Sequence, residues 1–137
     1  MPLIGGGGAG NVAGGNPVGT GTALNYIGDH AFAYSGVISV TNSTISLLDT
    51  TIGATYIVAK VQPSVNVDTS DNMFFKILIN GEEIYATLIG STTSNSPYEE
   101  VEMIIPSYAH FQVTCENDSS STGRECAVVV TGRAYHA

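Results

Sequence analysis

The two cysteines of this chain are the residues whose type and spacing most directly suggest chemistry. Cys115 and Cys126 lie on the apolar faces of two successive predicted strands, which are joined by a polar loop over residues 116–125. A disulfide across so short a loop is geometrically possible and would stabilise the fold by roughly 2–3 kcal/mol. Two reduced thiols acting as small apolar core residues would explain the same positions. The sequence leaves the disulfide and the thiol pair as open alternatives.

Acidic residues are the second candidate for chemistry. Glu99, Glu100 and Glu102 form the densest negative run, and Glu82 and Glu83 form a shorter one. Two carboxylates can hydrolyse a glycosidic bond when they face each other across a cleft. Glu100 and Glu102 instead share the solvent face of one predicted strand. We therefore interpret them as charges on a solvated face or edge, where they discourage strand pairing.

An oxygen-rich stretch at residues 68–72 resembles the start of a calcium-binding loop. Its oxygen ligands would come from Asp68, Ser70, Asp71 and Asn72. An EF-hand loop also needs a glycine and a final acid at fixed positions, and this chain has Met73 and Ile79 there. We therefore predict a turn stabilised by hydrogen bonds from side chains to the backbone, with no metal ion.

Histidines and glycines give no complete catalytic or cofactor motif. His30, His110 and His136 are scattered, whereas a zinc site needs closely spaced ligands. Residues 5–10 match the G-x-G-x-x-G pattern of dinucleotide-binding loops, but that pattern needs a strand before it and a helix after it. The sequence predicts neither element here, and no G-x-S-x-G nucleophile motif occurs. We therefore predict that the protein is not an enzyme and has no cofactor.

Apolar residues alternate with a period of two over most of the chain, which is typical of β-strands. The pattern predicts no helix and about eight strands, near residues 30–40, 44–49, 55–62, 72–80, 83–90, 98–105, 109–116 and 125–135. The fourth strand is apolar on both faces except at Lys76. We expect the core to cover one of these faces and another subunit or the N-terminal segment to cover the other.

Short strands in this number favour an all-β fold, and we predict a single jelly-roll β-sandwich. Asn80-Gly81 favours a tight hairpin between the fourth and fifth strands, which a jelly roll places in one sheet. An immunoglobulin-like sandwich is the alternative. The chain has no Trp, however, and its cysteines are too close in sequence for the inter-sheet bridge of that fold.

The first 22 residues carry nine of the 16 glycines and no charged side chain. Such a segment buries too little apolar surface to become ordered by itself. We therefore predict an extended Gly-rich N-terminal arm at residues 1–22 and a sandwich domain at residues 23–137. An arm of this kind is a tether or a strap that becomes ordered against a partner, which indicates assembly. The residues expected at subunit or partner contacts are Leu3, Ile4, Val12, Pro17, Val18 and Tyr26.

The charge of the chain argues against polyanionic partners. Twelve acidic and four basic residues give a net charge of −8. Binding to phosphates needs clustered positive charge, and the four basic residues are dispersed along the sequence. We therefore predict no nucleic-acid partner and no membrane partner. The N-terminal residues lack the pattern of a signal peptide, so we expect the protein to stay in the cytosol or to leave it within an assembly.

The sequence resembles small jelly-roll virion proteins of tailed bacteriophages. The resemblance lies in the Gly-rich start, in LNYIGDHAFAYSGVI (24–38) and in HFQVTCENDSSSTGRECAVVVTGRAY (110–135). Proteins of this kind decorate or cement the outside of the phage head. The resemblance implies that the protein lies on the exterior of the capsid, binds the major capsid protein and forms a homotrimer. It also implies that the arm contacts capsid protein or neighbouring subunits. A further implication is assembly in a reducing cytosol, where thiols persist.

Two other functions fit the same fold. One is a carbohydrate- or receptor-binding head of a virion spike or fibre, with a pocket in the loops 67–72, 91–97 or 116–125. The other is a single jelly-roll capsid shell protein. Shell proteins that enclose a genome often carry a basic arm, whereas this arm is neutral. The charge therefore favours a position outside the capsid.

Overall fold

The computed structural model describes residues 21–65, 72–89 and 100–136, which form ten β-strands in two antiparallel sheets. No helix occurs within these three ranges. The inward side chains of both sheets form one continuous apolar core, so the sheets pack face to face. The all-β sandwich predicted from the period-two pattern is confirmed.

The observed strands follow the predicted ones closely. They are β1 (Asn25–Ile27), β2 (His30–Tyr34), β3 (Ile38–Val40), β4 (Ile45–Thr51), β5 (Thr55–Val65), β6 (Met73–Ile79), β7 (Glu82–Ile89), β8 (Val101–Ile105), β9 (His110–Asn117) and β10 (Arg124–His136). β1 was not predicted, because three residues are too few to show an alternation. The predicted strand at 30–40 is divided into β2 and β3.

The two sheets interleave strands from all along the chain. The four-stranded sheet has the order β4-β9-β6-β7, and the six-stranded sheet has the order β1-β2-β10-β5-β8, with β3 also paired to β10. Eight strands remain when β2 and β3 are counted as one strand and β1 is left out. Numbered from one to eight along the chain, they have the order 2-7-4-5 in the four-stranded sheet and 1-8-3-6 in the six-stranded sheet. This interleaved order is compatible with the predicted jelly roll.

The division between β2 and β3 is stabilised by a side chain. Gly36 has a φ of 75°, which bends the chain away from the ladder. Ser35 is buried there, and its hydroxyl accepts a hydrogen bond from the N–H of Val128 at 2.9 Å and donates to the carbonyl of Gly36 at 2.8 Å. The serine hydroxyl therefore satisfies a backbone donor of β10 where the regular pairing is interrupted.

Alternation along the strands decides which side chains form the core. In β5, Ile57, Ala59 and Val61 are buried, while Val58 and Lys60 between them are exposed. The inward faces of β5, β9 and β10 consist of the buried residues Ile57, Ala59, Val61, Phe111, Val113, Cys115, Cys126, Val128 and Val130. On β8, Ile105 is fully buried, and Val101 and Met103 are partly buried against the core.

Two neighbouring leucines in β4 break this alternation. Leu47 and Leu48 in β4 are both fully buried. The register of β4 against β9 shifts at this point, since Leu48 lies opposite Val113 and Ser46 lies opposite Thr114. This β-bulge places one extra residue in β4 and lets both leucines enter the core.

The β6–β7 hairpin has the turn that its sequence predicts. Asn80 and Gly81 have φ values of 53° and 83°, as a two-residue turn with positive φ at both positions requires. The Asn80 side-chain oxygen also accepts a hydrogen bond from the N–H of His110 at 2.9 Å, which fixes the hairpin to β9.

The two faces of β6 differ as expected. Met73, Phe75 and Ile77 enter the core, while Phe74 faces outward and is half-buried. The ammonium of Lys76 lies 5.0 Å from the centre of the Phe74 ring, and it is 3.4 Å from a Glu83 carboxylate oxygen. The Lys76 side chain therefore covers part of the solvent-facing apolar side of β6. Coverage of this face by another subunit stays a prediction.

Candidate functional site

The first described residues join the two sheets at one side of the sandwich. The N–H of Gly21 donates to the carbonyl of Tyr34 in β2, and the carbonyl of Thr22 accepts from the N–H of Asp49 in β4, each at 2.9 Å. β4 is an edge strand, so this contact covers backbone groups that an open edge would expose. Residues before Gly21 therefore connect to the domain at the seam between the sheets.

Tyr26 is the one predicted contact residue that lies within the described ranges. It lines a cavity of about 450 Å³ at the end of the sandwich where β10 ends at His136, together with Leu24, Thr55 and Asp29. Tyr26 is 40% exposed. Burial raises the pKa of Tyr26, and a hydrogen bond with the Thr55 side chain opposes this shift only in part. Apolar walls with a few hydroxyl and charged groups suit a short peptide or a sugar.

Asp29 connects the turn between β1 and β2 to β10. Its carbonyl accepts a hydrogen bond from the N–H of Ala134 at 2.7 Å. Its carboxylate lies 3.4 Å from Nε of Arg133 and 3.7 Å from Nε2 of His30. All three side chains are largely exposed, so these contacts position the turn while adding little to stability.

The solvent-facing side of the six-stranded sheet, here called the outer face, carries many apolar side chains. Two cross-strand pairs show the arrangement, since Val58 lies opposite Ile104, and Val129 lies opposite Tyr34. Exposed apolar residues of this face are Ile27, Val58, Ile104, Val129 and Tyr135. Its aromatic rings form the pairs Phe32–Tyr34, with centres 5.1 Å apart, and Tyr56–Tyr135, with centres 5.5 Å apart.

Both basic residues of the outer face lie beside acidic residues. Lys60 lies directly opposite Glu102 on β8. Thr131 of β10 pairs with Lys60, and Arg133, two residues further along β10, contacts Asp29. Half of the four basic residues of the chain are therefore on this face, among its aliphatic and aromatic side chains. Aromatic and arginine residues without a large excess of one charge are typical of protein–protein interfaces.

The acidic residues do not form a paired catalytic site in the described ranges. Glu100 and Glu102 are exposed at and beside the edge strand β8, where they fit the interpretation as charges that oppose strand pairing. Glu83 lies on the other sheet and contacts Lys76. Glu99 is outside the described residues.

A histidine–carboxylate pair that the sequence did not reveal lies on the four-stranded sheet. Nε2 of His110 is 2.6 Å from a carboxylate oxygen of Asp49, and the Gln112 amide lies 3.5 Å from the other oxygen. The two residues are 61 positions apart in sequence, and only the pairing of β9 with β4 brings them together. Both side chains are nearly half exposed on an open sheet surface, so they form a surface pair and do not line an enclosed site.

The two cysteines lie on facing sheets. Cys115 is in β9 and Cys126 is in β10, and both are free thiols buried in the core. Their Sγ atoms are 3.7 Å apart. The predicted apolar positions are confirmed, and the structure brings the pair together.

Asn117 organises the loop that follows β9. It is 2% exposed, and its side-chain oxygen accepts hydrogen bonds from the N–H groups of Ser119 at 2.9 Å and Ser120 at 3.1 Å. Its amide donates to the carbonyl of Thr122 at 2.9 Å. The sequence signal was available, because asparagine often bonds to backbone two residues further on.

Several predicted positions lie outside the described residues. They are the contact residues Leu3, Ile4, Val12, Pro17 and Val18, the glycine run 5–10, and Asp68, Ser70 and Asp71. Asn72, the described end of the oxygen-rich stretch, makes two hydrogen bonds of 2.8 Å to the loop after β9, through its N–H to Ser119 and through its carbonyl to Asp118. The rest of the predicted turn lies outside the described residues.

No protein-family model matches the chain, and no curated protein matches it. In the described parts of the chain, no three His, Cys, Asp or Glu side chains are grouped so that they could hold a metal ion. The described ranges also contain no helix with the length and hydropathy that crossing a membrane requires.

Proposed function

We propose that this protein is a structural virion protein that decorates or cements the outer surface of a tailed-phage capsid. The outer face of the six-stranded sheet carries the proposal. It presents aliphatic side chains that are up to 63% exposed, next to two aromatic pairs, on a small sandwich. Contiguous apolar surface of this kind is typical of sites that contact other proteins.

The distribution of charge supports a place outside the capsid. The chain has a net charge of −8, and no basic residue occurs before Lys60. A protein that faced a packaged genome would need positive charge to neutralise phosphates. A neutral Gly-rich segment that leaves the seam of the sandwich instead suits contact with a protein lattice.

The proposed assembly is a trimer bound to the major capsid protein. In this proposal the outer face contributes contacts between protomers, and the Gly-rich segment contributes contacts to the capsid. Several linked contacts on one lattice raise the overall avidity far above the affinity of each single contact.

The test is binding to heads assembled from the major capsid protein of the same genome. The full chain is compared with a chain that lacks residues 1–20, because Gly21 and Thr22 make hydrogen bonds to both sheets and must be kept. We expect the full chain to saturate the heads in a sedimentation assay and the truncated chain to bind at a small fraction of that occupancy. Full occupancy by the truncated chain would overturn the role of the arm.

A matched variant separates arm chemistry from arm length. Replacing Leu3, Ile4 and Val12 with serine keeps the length and the glycines but removes apolar side chains. We expect this variant to lose most of its occupancy on the heads, because the apolar side chains supply the contact. Unchanged occupancy would mean that these residues are not the contact.

A second candidate is a carbohydrate- or receptor-binding head, which the cavity beside Tyr26 favours. Gly53 lines the cavity and comes shortly after the last residue of β4. Thr41 comes shortly before the first residue of β4, and its carbonyl accepts a hydrogen bond from the N–H of Asn117. The cavity is therefore at the end of the sandwich opposite the loop 116–125. Binding of the full chain on a glycan array, abolished by Tyr26→Ala, would favour this function over capsid decoration.

A further inference from the structure

The two cysteines of the chain meet inside the core, between the sheets. Cys115 belongs to the four-stranded sheet and Cys126 to the six-stranded sheet. Cys115 is 0% exposed and Cys126 is 1% exposed, and their sulfur atoms are 3.7 Å apart. They are eleven positions apart in sequence, so a bond between them would close the loop after β9 and link the sheets.

Cys126 is the residue of the pair that lies next to an open surface cavity. Cys126 lines an open cavity of about 430 Å³, together with Val37, Ser64 and Glu125, and Cys115 is not part of that lining. Cys126 is therefore the residue of the pair that lies closer to an oxidant in this cavity.

The hydrogen bond between the thiols favours the same order. The Cys115 thiol donates to Sγ of Cys126. This hydrogen bond lowers the pKa of Cys126, and together with burial it raises the pKa of Cys115. The thiolate is the form that attacks a disulfide. Cys126 is therefore the first nucleophile, and Cys115 reacts second.

We propose that Cys115 and Cys126 are a site of reversible oxidation, at which a small-molecule disulfide such as oxidised glutathione links the two sheets covalently. The Cys126 thiolate attacks one sulfur of oxidised glutathione, which forms a mixed disulfide and releases one glutathione thiolate. Cys115 then gives its proton to water and attacks Sγ of Cys126, which releases the second glutathione. Two protein thiols are oxidised, and one glutathione disulfide is reduced to two thiols. This site does not depend on the proposed virion function.

The first test uses the unmodified full chain. The protein is incubated with reduced or with oxidised glutathione, unfolded in denaturant, alkylated and weighed by mass spectrometry. We expect two alkylated cysteines after the reducing incubation and none after the oxidising one, with a Tm about 10 °C higher for the oxidised protein. Two alkylated cysteines after the oxidising incubation, or disulfides between chains, would overturn the proposal.

The second test separates the two roles with matched variants. In Cys115→Ala, oxidised glutathione should accumulate as a mixed disulfide on Cys126. In Cys126→Ala, the buried Cys115 should remain unmodified over the same period. Equal rates in two variants with the same Tm would overturn the order of attack. The result for the unmodified chain stands whether or not either variant folds.

Discussion

Gly132 in β10 lies opposite Ala59 and close to the backbone of β5. A Cβ atom at this position would collide with the carbonyl oxygen of Val58 and would lie 2.9 Å from Cα of Ala59. Both obstacles are backbone atoms of a paired central strand, so they cannot move without breaking ladder hydrogen bonds. The requirement for glycine at this position therefore comes from packing between strands.

Replacing Gly132 with alanine should therefore destabilise the fold. We expect Gly132→Ala to lower the free energy of unfolding by about 2–3 kcal/mol, as overpacking does in other cores. Gly53 is the matched control, because a Cβ added there meets nothing within 4 Å. Gly53→Ala should change the stability by less than about 1 kcal/mol. Urea unfolding measures both, and equal effects of the two substitutions would contradict the packing argument.

The raised pKa of Tyr26 makes stability depend on pH in the alkaline range. The folded protein favours the protonated phenol, so this contribution is complete below the pKa of an unfolded tyrosine, about 10. It is lost as the pH rises through the higher pKa of the folded state. We expect the unfolding midpoint of the natural protein to fall more steeply above about pH 10 than that of Tyr26→Phe. Parallel curves for the two proteins would show that Tyr26 does not titrate in this way.

At the scale of strands, the interruption between β2 and β3 depends on one side chain. The hydroxyl of Ser35 accepts a hydrogen bond from the N–H of Val128, in place of a backbone carbonyl of a neighbouring strand. Removing the hydroxyl would leave a buried backbone donor without that acceptor, which is costly.

We therefore expect Ser35→Ala to destabilise the protein by about 1–3 kcal/mol. Ser39, an exposed serine in β3, provides the matched control, and Ser39→Ala should have an effect within about 0.5 kcal/mol. Chemical denaturation of the two variants gives the comparison. A loss at Ser35 no larger than that at Ser39 would mean that the interruption does not rely on this hydroxyl.

The same strands show how far the sequence predicts the structure. The strands at 55–65 and 110–117 and the Asn80-Gly81 turn were predictable, because alternation and turn chemistry are local properties. The bulge that buries both Leu47 and Leu48 was not, because it arises from the register of β4 against β9. The His110–Asp49 pair and the cysteine distance also depend on how distant strands meet. For these sites the sequence indicates which face each residue occupies but not its partner.

For the whole molecule, an acidic sandwich with an apolar outer face is expected to associate with itself. Exposed apolar side chains on the six-stranded sheet gain from burial against another protomer. The basic residues of that face lie beside acidic ones, as Lys60 does beside Glu102, so they oppose this burial less than unpaired charges would. The Gly-rich segment joins the domain at the seam between the sheets, so the proposed account assigns it a separate contact.

The most direct test of this account is the mass of the protein in solution, measured by light scattering on the full chain and on the chain without residues 1–20. The account predicts three times the mass of one chain in both samples, because the sandwich forms the oligomer and the arm stays available to bind a capsid. A monomer in both samples, or a trimer that is lost on truncation, would contradict it. A capsid shell protein or a ligand-binding head would then be the better explanation.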